Sequence, residues 1–300
     1  MGAVMSVEIT CKNLFESFVD PGTHQSSDYF GLIKALINAN GTENDALIDR
    51  YIDKAYQLIN SELTENTGIP VTEINFGTSG WRGILGKDIF VNSVLSVTAA
   101  IVKLYLSLDD DLQLAKHLGV ASLDEARKRG CLVGHDNRFG GEKLGQAVAD
   151  YLIACGFKVY YCGETTTGVL SASLLELEAA FSINLTPSHN PLEYGGYKYN
   201  AADAGPAASE LTQAITHYSR EIIATGTIPT PEGVLQTGEL VETDSLALWK
   251  DLVIRNSNKH GIHYLELCER AAAMDDLVIV IDAVNGASRL HIEKLLGPAS

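Results

Sequence analysis

Between residues 131 and 185, short apolar runs alternate with helix-length amphipathic segments, and that rhythm constrains the fold of this chain more than any other feature. Residues 131–135 (CLVGH), 158–162 (KVYYC) and 180–185 (AFSINL) read as strands. Residues 141–155 and 168–177, which connect them, carry apolar side chains at helical spacing. Strands joined through helices of that length run parallel, and their sheet is covered on both faces. The predicted class is therefore α/β, with a mostly parallel sheet sandwiched by helices. Ligands of such sheets sit at the carboxyl ends of the strands. Two polar bursts, 134–138 and 186–191, fall there.

The flanking regions have a different texture. Residues 29–40 and 46–59 have the spacing of amphipathic helices, with a turn expected at Asn40-Gly41, so residues 1–74 read as a helical N-terminal extension packed on the main body. Residues 76–83 (FGTSGWRG) read as a loop, 91–108 as a helix, and Asp109–Asp111 as a solvated acidic loop. A helix is expected over 209–224. The Pro/Gly/Thr-rich stretch 226–238 marks a boundary, dividing the chain into a first domain over 75–225 and a linker with a second domain over 226–300. Helices over 245–256 and 264–274 precede 277–282 (LVIVID), a near-continuous apolar run expected to be a strand buried on both faces. The 300 residues end soon after it, so the second domain is expected to be incomplete.

Composition excludes some partners. Thirty-eight acidic against 22 basic residues give a net charge of −16, which disfavours nucleic acid and anionic membrane surfaces. No run approaches the roughly 18 apolar residues needed to span a bilayer, and the N-terminus lacks a secretory pattern. A cytoplasmic location is expected. The five cysteines form no CxxC pair, so free thiols are expected and a zinc site is not.

The densest cluster of reactive residues is Thr186-Pro187-Ser188-His189-Asn190-Pro191. Prolines on both sides restrict the backbone and give a rigid mount for a hydroxyl. The same residues also suit a plain turn in which Ser188 and Asn190 bond their own backbone. A Ser-His hydrolase lacks its GxSxG elbow. Lys198 follows two glycines that permit a tight turn, and a lysine beside a hydroxyl loop neutralises phosphate or moves a proton. Arg82 suits a bidentate phosphate contact or a structural ion pair. Asp136 and Arg138 are read as a pair bracing a loop, and Asp282 with Gly286 as a strand-end turn.

Taken together, FGTSGWRG (76–83), GHDNR (134–138), TPSHNP (186–191) and GGYKYN (195–200) resemble, in order and separation, the α-D-phosphohexomutase superfamily. Gly205-Pro206-Ala207 after these motifs is most similar to its branch of bacterial α-D-glucose-specific phosphoglucomutases. The resemblance covers roughly residues 75–300. It implies a mixed, mostly parallel sheet followed by the start of a second, similar domain. It implies interconversion of glucose 1- and 6-phosphates through phosphorylated Ser188, with glucose 1,6-bisphosphate as intermediate and activator. Lys198 and Arg82 stand at the superfamily's active-site lysine and arginine positions, and His189 follows the nucleophile. Ser188, Arg82, Lys198 and Arg138 are the expected substrate contacts, and either Lys198 or His189 the proton carrier. Mg²⁺ is expected on phosphorylated Ser188 and on aspartates of a DxDxD-type loop outside these 300 residues. A hexose phosphate is the expected partner, for a monomer or homodimer. By itself the 300-residue piece is expected to be an inactive N-terminal portion. Phosphomannomutase, phosphoglucosamine mutase or a non-catalytic phosphosugar-binding module are the alternatives. One departure stands near the site: Thr165-Thr166-Thr167-Gly168 replaces the Thr-Pro usual in relatives.

Overall fold

Helices α1 (Gly2–Phe18), α2 (Tyr29–Asn40) and α3 (Ala46–Glu65) open the chain in the computed structural model, which describes residues 2–22, 24–40, 46–108, 112–230, 234 and 237–297. In α3, Ile48, Ala55, Ile59 and Leu63 are buried at intervals of seven and four, which puts them on one stripe. That stripe packs on α2 and reaches α4 (Val91–Leu106), the first helix of the α/β body. Polar ties hold the helices down as well: Lys34 pairs with Glu193 at 3.0 Å, and Lys143 donates to Asn60 Oδ1 at 2.7 Å. The turn expected at Gly41 and the acidic run 109–111 lie outside the described residues.

The body is one six-stranded sheet. Its strands are β1 (Trp81–Ile84), β2 (Cys131–His135), β3 (Val159–Glu164), β4 (Phe181–Leu185), β5 (Tyr194–Ala201) and β6 (Leu240–Glu242), in spatial order β1-β5-β4-β2-β3-β6. Pairings β2–β3, β2–β4 and β3–β6 are parallel, and β4–β5 and β1–β5 antiparallel. The sheet is thus mixed and mostly parallel. Further helices are α5 (Leu112–Leu118), α6 (Leu123–Arg129), α7 (Gly141–Ala154), α8 (Thr167–Glu176) and α9 (Ser209–Thr225), then α10 (Ser245–Arg255), α11 (Ser257–His260), α12 (Tyr264–Ala272) and α13 (His291–Leu296). All of β2 is buried, because both of its faces are covered. Cys131 and Val133 join the core under α4 and α7, whereas Leu132 packs with Leu170 and Leu174 of α8 on the opposite side. The five cysteines are free thiols, and burial pushes the Cys131 thiol up. No described helix is long and apolar enough to cross a membrane.

Three expectations change. Residues 81–84 and 194–201, read as loop and tight turn, are antiparallel strands. Glycines disguise them in sequence, yet Gly196 lets the backbone of residues 186 and 187 approach, while Gly83 and Gly195 leave room for the side chains of Asp88, Leu85 and Ile89. The sheet also continues past the Pro/Gly/Thr-rich stretch: Val159 N donates to Glu239 O at 2.8 Å and β6 follows, so residues expected to belong to linker and second domain complete the first sheet. Residues 277–282 are not a buried strand. They pair with no described strand, and Val278 and Val280 are 82% and 86% exposed. An apolar run becomes a ladder only where another strand accepts its hydrogen bonds.

Candidate functional site

The loop after β4 is tied at almost every residue. Asp136 N donates to Leu185 O at 3.1 Å, bringing the ends of β2 and β4 together. Thr186 Oγ1 then donates to Asp136 Oδ2 at 2.6 Å and accepts from Ser188 N at 3.0 Å. Arg82 Nε donates to Pro187 O at 3.1 Å. The Arg138 guanidinium donates to the carbonyls of Pro191 at 2.6 Å, of Ser188 at 3.3 Å, and of Asn190. Its own position is set by Asp136, whose Oδ1 accepts from Arg138 N at 3.0 Å and whose Oδ2 lies 3.7 Å from Arg138 Nε. Asp136 and Arg138 thus brace the loop, as the sequence suggests. Inside this frame Ser188 adopts φ +60°, in the left-handed region. That conformation costs a non-glycine residue about 1 kcal/mol or more and persists only where the surroundings impose it. The Ser188 side chain remains exposed while its backbone is held.

One glycine makes the frame possible. Gly196 stands opposite Arg82 in the β1–β5 pair. A Cβ there would lie 2.5 Å from Thr186 O and 2.7 Å from Pro187 Cα. The serine loop lies directly on the bare backbone of β5.

Ser188 opens onto a cleft of about 260 Å³ at the carboxyl edge of the sheet, shared with Asp136, Thr167 and Asn184. Lys198 on β5 is half-buried, in register with Asn184, and its Nζ donates to Thr167 Oγ1 at 3.4 Å. Burial and then the nearby Arg82 guanidinium push the Lys198 ammonium below the ordinary lysine range, with Asp136 opposing them. Of the expected residues, Ser188, Arg82, Arg138 and Lys198 therefore gather around one loop and cleft. His189 is exposed, and no described hydrogen bond orients it.

Sequence reasoning names Thr167 only within the run 165–168 near the site, without a role, and passes over Asn184. Asn184 is visible in retrospect as an amide inside the apolar run AFSINL, where a strand buried on both faces has no place for an unpaired polar group. Its Nδ2 donates to Thr167 Oγ1 at 3.1 Å, and its Oδ1 has no partner among the described residues.

The far wall of the cleft comes from Asn285, Gly286 and Ala287. Asn137 Nδ2 donates to Asn285 O at 2.9 Å, and the Arg289 guanidinium makes two bonds of 2.9 Å to the Glu164 carboxylate. Arg289 holds the Glu164 carboxyl below its usual range. Val284 N donates to Asp282 Oδ1 at 2.8 Å and Gly286 N to Ala283 O at 2.7 Å, so 282–286 is a turn.

Oxygen donors for a divalent ion are scarce here. No three His, Cys, Asp or Glu side chains converge among the described residues, and both Asp136 oxygens already accept from the loop. The described residues do not form a metal site by themselves; a phosphorylated Ser188 would add one hard oxygen ligand facing the cleft.

The family model for phosphoglucomutase/phosphomannomutase, α/β/α domain I, matches residues 73–225. The chain belongs to this family. Its place is thus within the α-D-phosphohexomutases. The phosphoglucosamine mutase of Limosilactobacillus fermentum is 26% identical over 224 residues, covering 73% of this chain and 42% of its own length. That of Levilactobacillus brevis is 30% identical over 166 residues, covering 55% of this chain and 33% of its own. The phosphohexomutase chain described here spans about two fifths of the length of the first of these relatives. Among solved structures, Paramecium parafusin, a phosphoglucomutase in an open form, superposes with a TM-score of 0.53 at 18% identity, over 77% of this chain and 44% of its own. That likeness concerns the fold.

Proposed function

We propose that this chain is the nucleophile-bearing part of a phosphoglucomutase that interconverts glucose 1-phosphate and glucose 6-phosphate through phosphorylated Ser188. The observation that carries the reading is the Ser188 loop. A hydroxyl is presented to a cleft on a left-handed backbone, clamped by Arg82, Arg138 and Asp136. Phosphoryl transfer is mostly positioning and charge stabilisation, so a fixed hydroxyl among cations is the part it needs. In the forward step the P–O bond to Ser188 Oγ breaks as the sugar hydroxyl oxygen bonds to phosphorus, giving the bisphosphate. The hydroxyl's proton passes to a base and returns to Ser188 Oγ. The return step phosphorylates Ser188 from the other end of the reoriented sugar.

We assign the proton to Lys198 in preference to His189. Burial and Arg82 make the neutral amine more accessible, whereas nothing described orients His189. A phosphorylated Ser188 carries about −1.5 to −2 charges near neutral pH; Arg82 offsets part of it locally within a chain of net charge −16, and Lys198 adds a positive charge once it has taken the proton. Mg²⁺, held by the seryl phosphate together with ligands from outside this chain, would neutralise further charge when bound.

A second reading concerns the sugar, because the curated relatives quoted above are named phosphoglucosamine mutases. Turnover of the full-length protein with glucose 1-phosphate and with glucosamine 1-phosphate, each primed with the matching bisphosphate, separates the two. The glucose reading expects kcat/KM at least about tenfold higher for glucose 1-phosphate, a difference of about 1.4 kcal/mol. The reverse order selects the amino sugar. Unchanged turnover in Ser188→Ala would remove both.

A further inference from the structure

Lys198 ends on a threonine of the cleft wall. Its Nζ lies 3.4 Å from Thr167 Oγ1, at the long end of hydrogen-bond distance, and the same oxygen accepts from Asn184 Nδ2 at 3.1 Å. A hydroxyl has two acceptor sites and one proton. With both acceptor sites engaged, the Thr167 proton is left to point elsewhere, and Thr167 lines the same cleft as Ser188. The hydroxyl is itself fixed from below. Thr167 is the first residue of α8, and the Thr166 side chain caps that helix by accepting from Val169 N at 3.4 Å. Asn184 is only 3% exposed and lines the same cleft, and its buried Oδ1 has no hydrogen-bond partner among the described residues. The charged groups facing Lys198 are Arg82 on the β1 side and Asp136 at the end of β2. Asp136 is taken up by Thr186 and Arg138, so neither group offers the ammonium a direct partner.

We propose that Thr167 is a positioning residue for Lys198: its hydroxyl, held by Asn184, directs the lysine toward the sugar oxygen in the cleft. The proposal rests on the reading of Lys198 as the proton carrier. Thr167 does not touch the transferring phosphoryl group in this account; it acts through Lys198.

The test compares Thr167→Val, Thr167→Ala and Thr167→Ser in the full-length protein with two independent readouts. One is kcat and KM for glucose 1-phosphate. The other is the titration midpoint of Lys198, measured by competitive acetylation across pH and peptide mass spectrometry, which needs no turnover. Loss of the hydroxyl acceptor removes a group that favours the charged amine, so the Val and Ala variants should titrate Lys198 at lower pH. They should also lower kcat about tenfold, with KM held within about twofold. Thr167→Ser should restore both. Circular dichroism identifies a variant that fails to fold, and Thr167→Ala stands in if Thr167→Val is that variant. A Lys198 midpoint unmoved in folded Val or Ala protein, or a Ser variant as impaired as they are, overturns the proposal. Failure of the wild type to take phosphate on Ser188 would instead overturn the functional reading, and the acetylation result would still report on the Thr167–Lys198 contact.

Discussion

Ser188 sits on a backbone conformation that few side-chain-bearing residues adopt, and its neighbours show why it stays there. Thr186, Pro187 and Asn190 each give a backbone or side-chain group to the frame, and Arg82 and Arg138 close it from outside. The contribution of Gly196 is space. Gly196→Ala would drive a Cβ into Thr186 O and Pro187 Cα, both backbone atoms that cannot swing away. We expect it to destabilise the protein by about 1–3 kcal/mol and to lower activity further by displacing the loop. A thermal melt with an unchanged midpoint would contradict the close approach. At this scale the sequence was informative about Ser188, Lys198, Arg82 and the Asp136–Arg138 pair, because motif spacing marks them. It marked Thr167 only as part of an unusual run near the site and was silent on Asn184, because their meeting depends on the lateral order of strands and on where α8 begins.

Among elements, the strands that alternate with helices were legible and the glycine-rich ones were not. CLVGH, KVYYC and AFSINL carry the β-branched, aromatic and apolar residues of a pleated, doubly covered surface, and they are β2, β3 and β4. β1 and β5 carry glycines where a neighbouring side chain or, at Gly196, another backbone comes close, so their strand character lies in the pairing register rather than in composition. The serine loop belongs to this scale too, since it couples β4 to β2 through Arg138. Arg138→Ala removes donors to the carbonyls of Ser188, Asn190 and Pro191. Hydrogen exchange over residues 186–191 should rise about tenfold, with far smaller change in the β2–β4 core, because local opening is drawn from the least-supported segments. Equal acceleration throughout the sheet would show that Arg138 supports the whole body and not the loop.

Across the whole molecule, the run 277–282 teaches the limit of apolar pattern. Its side chains ask for cover on two faces, and the described residues leave one face, with Val278 and Val280, almost bare, while its own continuation helps to wall the cleft. What attaches that continuation to the first sheet is polar: Asn137 to Asn285 and Glu164 to Arg289. Arg289 lowers the Glu164 carboxyl in the attached state, so attachment is at full strength above the ordinary carboxylate range and weakens as pH falls through the lowered value. Arg289 is half-exposed, so solvent screening keeps the effect small. Limited proteolysis within 277–290 should accelerate at acid pH in the wild type. In Arg289→Ala it should already be faster at neutral pH and respond less to acid; identical rates in both proteins would remove the ion pair from the account. The strand pattern put 134–138 and 186–191 at the carboxyl ends of one sheet, and the convergence of Arg82, Arg138 and Lys198 around a single clamped serine is the central claim. Its most direct test is to incubate the full-length protein with glucose 1,6-bisphosphate and map covalent phosphate by peptide mass spectrometry. The account predicts one phosphoryl group on Ser188, absent in Ser188→Ala; phosphate on another residue, or none on folded protein that turns over substrate, would contradict it.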